Sequence, residues 1–303
     1  MKLSSLYLLF ALTLAACSRE PAPPGATTSS RPPTAAEPTE HDLRGEILEI
    51  DAAREILIVH HEEIPGYMPA MTMEFTLGGG VRTDTFRKGQ RIAARFVHEK
   101  PGELRLDSVR LLDPQKEAEL AAAALALRQD THARGRGAYR EIGETAPSFS
   151  LLNQDGNVVR FDHFRGKRVV LNFIFTRCPI ATMCPAATGK MQAIQLAAKQ
   201  AGITDLELIS ISFDSEYDTP PVLKAYAAAR SIDTRNFSFL TGSKEAIADL
   251  LRQFGVYAIP GENVFRHTLA TILIGPDGRL VHRTDNSDWQ PDEFLERMRR
   301  PTP

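Results

Sequence analysis

Three patterns of apolar and polar positions follow one another along the chain. Between residues 45 and 112 they alternate with period two in five short runs, 46–50, 55–59, 71–75, 91–97 and 104–111. Successive side chains of a strand point to opposite faces, so each run predicts a strand with one face buried. Gly78-Gly79-Gly80, Lys88-Gly89 and Lys100-Pro101-Gly102 supply turns between them. Five strands in so short a span predict a small antiparallel β-barrel, OB-like in size, over residues 43–113.

The second pattern begins at Asp113-Pro114, an N-cap residue followed by proline at the first helical position. Residues 115–134 are rich in Ala, Leu, Glu and Gln and stop at Gly135 and Gly137. This predicts a helical connector over 114–138, and its mostly alanine apolar face predicts that it lies loosely on its neighbour. From residue 139 the third pattern sets in. Residues 168–175 and 206–212 are nearly continuous apolar runs of strand length, the mark of strands covered on both faces. Helices are expected at 185–200, 221–229 and 244–254, the last capped by Ser243 and stopped by Gly255. A hairpin at 268–274 and 279–283, turning at Pro276-Asp277-Gly278, closes the chain. Strand and helix alternating into a final hairpin make an α/β, thioredoxin-like layout for 139–303, beside the all-β barrel.

The amino-terminal end has another character. Lys2, an apolar run at 6–16 and then Cys17 form a segment too short to span a bilayer and shaped like a secretory signal. The small residues Leu14-Ala15-Ala16 before Cys17 resemble the lipobox of bacterial lipoproteins, which implies a signal peptide at 1–16 and acylation of Cys17. Residues 18–41 hold six prolines and seven Ser or Thr, so 17–42 is expected to be a solvated tether. Largely extended, it would reach about 70 Å from a membrane, at roughly 3.1 Å per residue.

Composition excludes other classes. With 43% hydrophobic and 24% charged residues the chain can bury a core, and 36 basic against 38 acidic residues leave no net attraction to nucleic acid or anionic lipid. Of three cysteines, acylation would consume Cys17, which would leave Cys178 and Cys184 in an exported, oxidising compartment. Two thiols six positions apart serve one disulfide or one metal site. In a regular helix their sulfurs would stand about 9 Å apart along the axis and about 120° apart in direction. Pro179 and Pro185 oppose such a helix, so 180–183 is expected to be a loop that folds the two together. Cys178 follows the first buried strand, at the sheet edge where α/β sites form. A helix N-terminus at Cys184 and the neighbouring Arg177 are expected to lower both thiol pKa values. Asp214-Ser215-Glu216-Tyr217-Asp218 lies on the same sheet edge and is expected to be a solvated loop, with partner docking or support of the site as the alternative.

Gly143-Glu-Thr-Ala-Pro147-Ser-Phe149, the strand 169–175, Thr176-Arg177-Cys178-Pro179, Cys184-Pro185, Phe265-Arg266-His267-Thr268 and Gly275-Pro276-Asp277-Gly278-Arg279-Leu280 together resemble the Sco/SenC family. The resemblance implies a thioredoxin-like domain that binds copper through Cys178, Cys184 and His267 and assists assembly of the copper centre of cytochrome oxidase. The family usually has three residues between its cysteines, and this chain has five, Pro179 to Met183. The chemistry stands beside the family name, because Cu(I) is soft and prefers thiolate, thioether and imidazole. Thioredoxin-like reductases generally carry a proline where this chain has Arg266-His267-Thr268, which favours metal binding over pure thiol exchange.

In the barrel, Met68, Met71 and Met73 place three of the chain's seven methionines within six positions. Met71 and Met73 share one strand face, and a hairpin can set His61 beside them, whereas His60 points away. Methionines at i and i+2 also fill a barrel core, and spacing alone leaves the two readings level. The run from His61 to Phe75 resembles the periplasmic copper-binding domain typified by CusF, which implies His61, Met71 and Met73 as ligands. Met68 stands where that family carries a tryptophan, and would be a fourth thioether or a shield.

These readings combine into a membrane-tethered periplasmic copper chaperone with two Cu(I) sites, exchanging copper between them or onward to a cytochrome oxidase subunit. A chaperone needs no catalytic turnover. The rival reading is a thiol-disulfide oxidoreductase in which Cys178 or Cys184 attacks a partner disulfide. Peroxide reduction has only Ala146-Pro147 and a cysteine after the first buried strand behind it.

Overall fold

Thirteen residues, Thr39–Asp51, form the first strand, β1, of the computed structural model, which describes residues 39–299 apart from 101–102, 136 and 260–265. The signal segment, Cys17 and most of the tether lie outside the described residues. The tether was expected to reach residue 42, but strand pairing already begins at Thr39, opposite His98. Then come β2 (Ile56–His61), β3 (Met71–Leu77), β4 (Arg91–Lys100) and β5 (Glu103–Leu111), closed into a barrel in the order β1-β2-β3-β5-β4.

The barrel was expected to be antiparallel throughout, and one joint differs: β3 and β5 run parallel through Thr76↔Arg105 and Leu77↔Leu106. The cause lies in the segment after β3. Val81 and Phe86 bury their side chains in the barrel core, on either side of a 3-10 turn at Thr83–Thr85. The chain thereby crosses the barrel end, and β4 lands beside β1 instead of folding back on β3. Leu43, Ile47, Leu57, Val59, Phe75 and Phe96 fill the interior.

Helix α1 (Pro114–Arg134) is capped by the Asp113 carboxylate, which accepts hydrogen bonds from the amides of Gln115 and Lys116. Only Leu127 and Thr131 of α1 are buried, as its alanine-rich face implies. The seven-stranded sheet that follows contains β6 (Ser150–Asn153), β7 (Val158–Arg160), β8 (Arg168–Ile174), β9 (Leu206–Ser212), β10 (Phe237–Thr241), β13 (Thr271–Ile274) and β14 (Leu280–Thr284), in the order β14-β13-β8-β9-β10-β6-β7. A separate two-stranded ribbon pairs β11 (Ala258–Ile259) with β12 (Arg266–His267). Strands β8, β9 and β10 are parallel, and β8 and β9 are buried almost throughout. Helices α2 (Cys184–Gln200), α3 (Pro220–Ala229), α4 (Lys244–Gln253) and α5 (Pro291–Arg299) complete the thioredoxin-like layout. Ser243 caps α4 through the Ala246 amide, and Gly255 ends it at φ 63°. No helix among the described residues is long and apolar enough to cross a membrane.

The barrel and the sheet domain meet at the far end of β3. Val222 of α3 is 3% exposed and belongs to the barrel's apolar core, with Tyr217 packed against it.

Gly45 marks a close strand-to-strand backbone contact in the barrel: a Cβ there would lie 2.6 Å from the His60 carbonyl oxygen and 2.9 Å from the His61 Cα. Gly45→Val should therefore cost about 1–3 kcal/mol of stability. Gly189→Ala, with open space around its position in α2, should leave stability level or slightly raised. Chemical denaturation of both variants checks this, and a fully stable Gly45→Val chain contradicts it.

Candidate metal centres

Helix α2 starts at Cys184 itself, one residue earlier than the sequence suggested, with Pro185 in its first turn. The loop before it turns back on itself, the Met183 amide donating to the Ile180 carbonyl at 3.0 Å. That turn absorbs the two extra residues between the cysteines. Cys178 is 8% and Cys184 0% exposed, and both are free thiols.

The third group arrives from 83 residues downstream. Strand β12 carries His267 opposite Ala258, and the imidazole Nε2 lies 3.7 Å from Cys184 Sγ. The Cys178 and Cys184 sulfurs and a His267 ring nitrogen all lie within 4.8 Å of one another. The Thr268 carbonyl, 3.1 Å from His267 Nδ1, holds the proton there and leaves Nε2 as the donor atom facing the thiols. Burial lowers the His267 pKa, so the ring is neutral at physiological pH. Phe213 and Phe175 wall the ring at centroid distances of 4.9 and 5.7 Å. Thr268 has a further role: its amide donates to the Tyr257 carbonyl at 2.9 Å and its hydroxyl accepts from the Tyr257 amide at 3.0 Å. A proline at this position, with neither amide hydrogen nor hydroxyl, would remove both of these bonds.

The expected lowering of both thiol pKa values fails for Cys184. Burial pushes that thiol up to about 12, and the adjacent Cys178 adds to the rise, against hydrogen bonds from the Phe175 amide and its own amide. Desolvation outweighs the helix N-terminus because no water reaches the sulfur.

The acidic run is likewise not a solvated loop. Asp214 is 5% and Asp218 0% exposed. Asp218 accepts from the Thr176 amide at 2.9 Å, from the Thr176 hydroxyl and from Ser212, stapling the strand that leads to Cys178 onto the β9–α3 turn. Arg177 pairs with Asp214 at 2.7 Å and stacks over the Tyr217 ring at 4.1 Å. Sequence reasoning placed these acids on the right sheet edge but missed their task, because Thr176 and Arg177, which bond them, come from the exit of β8, far back in the chain.

In the barrel, His61 pairs directly with Met71 across β2 and β3, and Val59 with Met73. His61, Met71 and Met73 therefore share the inner face at the barrel mouth. His61 is fully buried; its Nδ1 lies 2.7 Å from the Glu62 carbonyl and its Nε2 is buried without a hydrogen-bond partner. Met71 is 42% exposed, while Met68 and Met73 pack against the barrel core. A bridge between Ile64 and Met68 folds the connecting loop beside the site. His60 points outward, as expected, with Nδ1 3.1 Å from the Thr72 hydroxyl.

Burial raises the Asp218 carboxyl to about 6, above its ordinary value, against the hydrogen bonds from Ser212 and Thr176. The folded chain thus holds this proton more tightly than the unfolded one. The contribution to stability is complete below the unfolded carboxyl range and is lost as pH rises through about 6. Thermal unfolding midpoints should fall between about pH 4 and 6 and level off above, and Asp218→Asn should flatten that fall; an unchanged profile in the variant contradicts the assignment.

The SCO1/SenC family matches residues 137–302, and the copper binding periplasmic protein CusF matches residues 40–110. A SCO1 protein homolog of Bacillus subtilis is 34% identical over 137 residues, covering 44% of this chain and 69% of the relative. The mitochondrial SCO2 homolog of Bos taurus is 33% identical over 173 residues, covering 53% of this chain and 63% of the relative. Among solved structures, a SCO1/SenC family lipoprotein from Bacillus anthracis is 28% identical, with 54% of this chain and 98% of that chain covered at a TM-score of 0.48. Both matched segments fall in copper-binding families. With more than half of its length matched, the chain belongs to the SCO1/SenC family and carries a CusF-like segment ahead of it.

Proposed function

We propose that this chain is a periplasmic copper chaperone, lipid-anchored through Cys17, that carries Cu(I) at two sites and delivers it to a copper-receiving protein such as a cytochrome oxidase subunit. The carrying observation is the convergence of the Cys178 and Cys184 sulfurs with a nitrogen of His267, all within 4.8 Å. Two sulfurs and one imidazole nitrogen match the preference of a soft monovalent ion that accepts low coordination numbers. Without a metal, a thiol held at about 12 stays protonated. A bound cation displaces that proton and turns the same burial into protection from solvent. The unpartnered Nε2 of His61 beside Met71 and Met73 supports the second site, with Met68 as an additional thioether or a cover. Thioether donors hold a soft ion under conditions that oxidise thiols. The apolar leader ending at Cys17 and the proline-rich run behind it support the anchor, and membership of the Sco/SenC family supports the oxidase as receiver.

A second reading, thiol-disulfide exchange, is favoured by the two adjacent free thiols. One thiolate would attack a partner disulfide, and the other would resolve the mixed disulfide. Cys178 and Cys184 would end oxidised and the partner reduced by two electrons and two protons.

Anaerobic reconstitution of the full chain should give two coppers per chain, one lost in Cys178→Ser and the other in Met71→Leu/Met73→Leu; no bound copper overturns the reading. His267→Ala should weaken copper retention at the thiol site at least tenfold while leaving disulfide exchange intact, and a variant that keeps copper but loses exchange reverses the order of the two readings. Thr268→Pro should loosen the His267 ribbon and weaken copper at the thiol site alone, read by competition with a Cu(I) chelator.

A further inference from the structure

The proposed thioether site lies at the end of the barrel away from the domain contact, and the thiol site lies in the sheet domain on the near side of that contact. The thioether mouth is at the start of β3, where Met71 pairs with His61. The other end of β3 runs into Gly78-Gly79-Gly80, and this end is the one docked. A Cβ on Gly79 would lie 3.0 Å from the Val222 Cγ2 and 3.5 Å from the Tyr217 hydroxyl. The cavity at this junction, about 320 Å³, is lined by Gly79 and Gly80 on one side and by Thr176, Arg177 and Tyr217 on the other. Arg177 leads directly into Cys178, so the thiol centre borders the docked end. Met73 is six residues and Met71 eight residues from Gly79 along an extended strand, a span of roughly 20–26 Å. Ligand-by-ligand transfer requires both donor sets to touch one ion, and this separation forbids it.

Nor is the connection a free hinge. The Lys116 ammonium donates to the Gly156 carbonyl at 2.7 Å, Glu119 pairs with Arg160 at 2.5 Å and Arg128 with Asp249 at 2.8 Å, tying α1 to the sheet domain along its length. Val222 is shared with the barrel core, so undocking would expose apolar surface on both sides. The mouth itself is open, with Met71 42% and Tyr67 36% exposed.

Resting on the two-site reading above, we propose that copper passes between the thioether and thiol sites of different chains, not within one chain. The transfer expected from sequence between linked sites is thus an encounter of two molecules, the barrel mouth of one meeting the thiol edge of another. No oxidation or reduction is involved: Cu(I) leaves thioether and imidazole donors for two thiolates and an imidazole, and the thiol protons go to solvent.

Kinetic order separates the alternatives. A Cys178→Ser/Cys184→Ser chain loaded with Cu(I) is mixed with a metal-free Met71→Leu/Met73→Leu chain, and thiolate–copper absorption is followed by stopped flow. In parallel, the unmodified chain is loaded at the thioether site while its cysteines are held as a disulfide. A large excess of phosphine then reduces the disulfide, at two protein concentrations tenfold apart. The expected results are transfer between the two variant chains and, in the unmodified chain, an apparent first-order rate constant (reciprocal half-time) that falls tenfold on tenfold dilution. A half-time independent of dilution overturns the proposal, as does absence of transfer between the variants. Copper content of the loaded donor is measured beforehand, so a donor that takes up no metal is identified separately as a failure of the two-site reading and removes the proposal with it.

Discussion

The contact between Cys184 and His267, 3.7 Å apart in space and 83 residues apart in the chain, is the constraint around which the sheet edge is organised. For it to exist, the strand before Cys178 must end at the right height, the next helix must begin at Cys184, and a two-stranded ribbon must lean its histidine over the helix start. Each requirement is met by a separate device. Asp218 and Arg177 fix the exit of β8, Pro185 favours a helix start, and Thr268 pins the ribbon through both its amide and its hydroxyl. None of these groups is a proposed ligand.

Both candidate centres use the same way of preparing an imidazole. In each, a backbone carbonyl next to the histidine, Glu62 for His61 and Thr268 for His267, lies against Nδ1; Nε2 of His267 faces the Cys184 sulfur, and Nε2 of His61 is buried without a hydrogen-bond partner. A carbonyl only accepts, so it selects the tautomer whose Nε2 lone pair is free. The tautomer is therefore set by the chain, before any metal arrives. The centres differ in their sulfur chemistry. Thioethers carry no proton and bind by polarisability, whereas the thiols must release protons, so copper binding is expected to release protons from sulfur at the cysteine edge and none from sulfur at the barrel mouth.

Much of this was legible in the sequence, for reasons that also explain what was not. Period-two alternation located all five barrel strands, and long apolar runs located β8 and β9, because those patterns report burial directly. Alternation carries no information on the direction of a neighbouring strand, so the parallel joint between β3 and β5 was invisible. Strands β6, β7, β11 and β12, of two to four residues, are too short to show a period. Two prolines were enough to show that the Cys178–Cys184 segment folds back. Spacing could not supply His267, which came from resemblance to the Sco/SenC family. The thiol pKa and the acidic run were misread for one reason: local features, a helix N-terminus and a cluster of charges, were weighed without the long-range burial that dominates both.

The central claim, that two thiolates and one imidazole grip a single soft ion at the sheet edge, is tested most directly by copper X-ray absorption on the Met71→Leu/Met73→Leu chain loaded with one equivalent of Cu(I). The account predicts a first shell of two sulfurs and one nitrogen, with the imidazole outer-shell signal disappearing in His267→Ala. A shell of light atoms alone, or a two-sulfur shell whose spectrum is the same with and without His267, would contradict it.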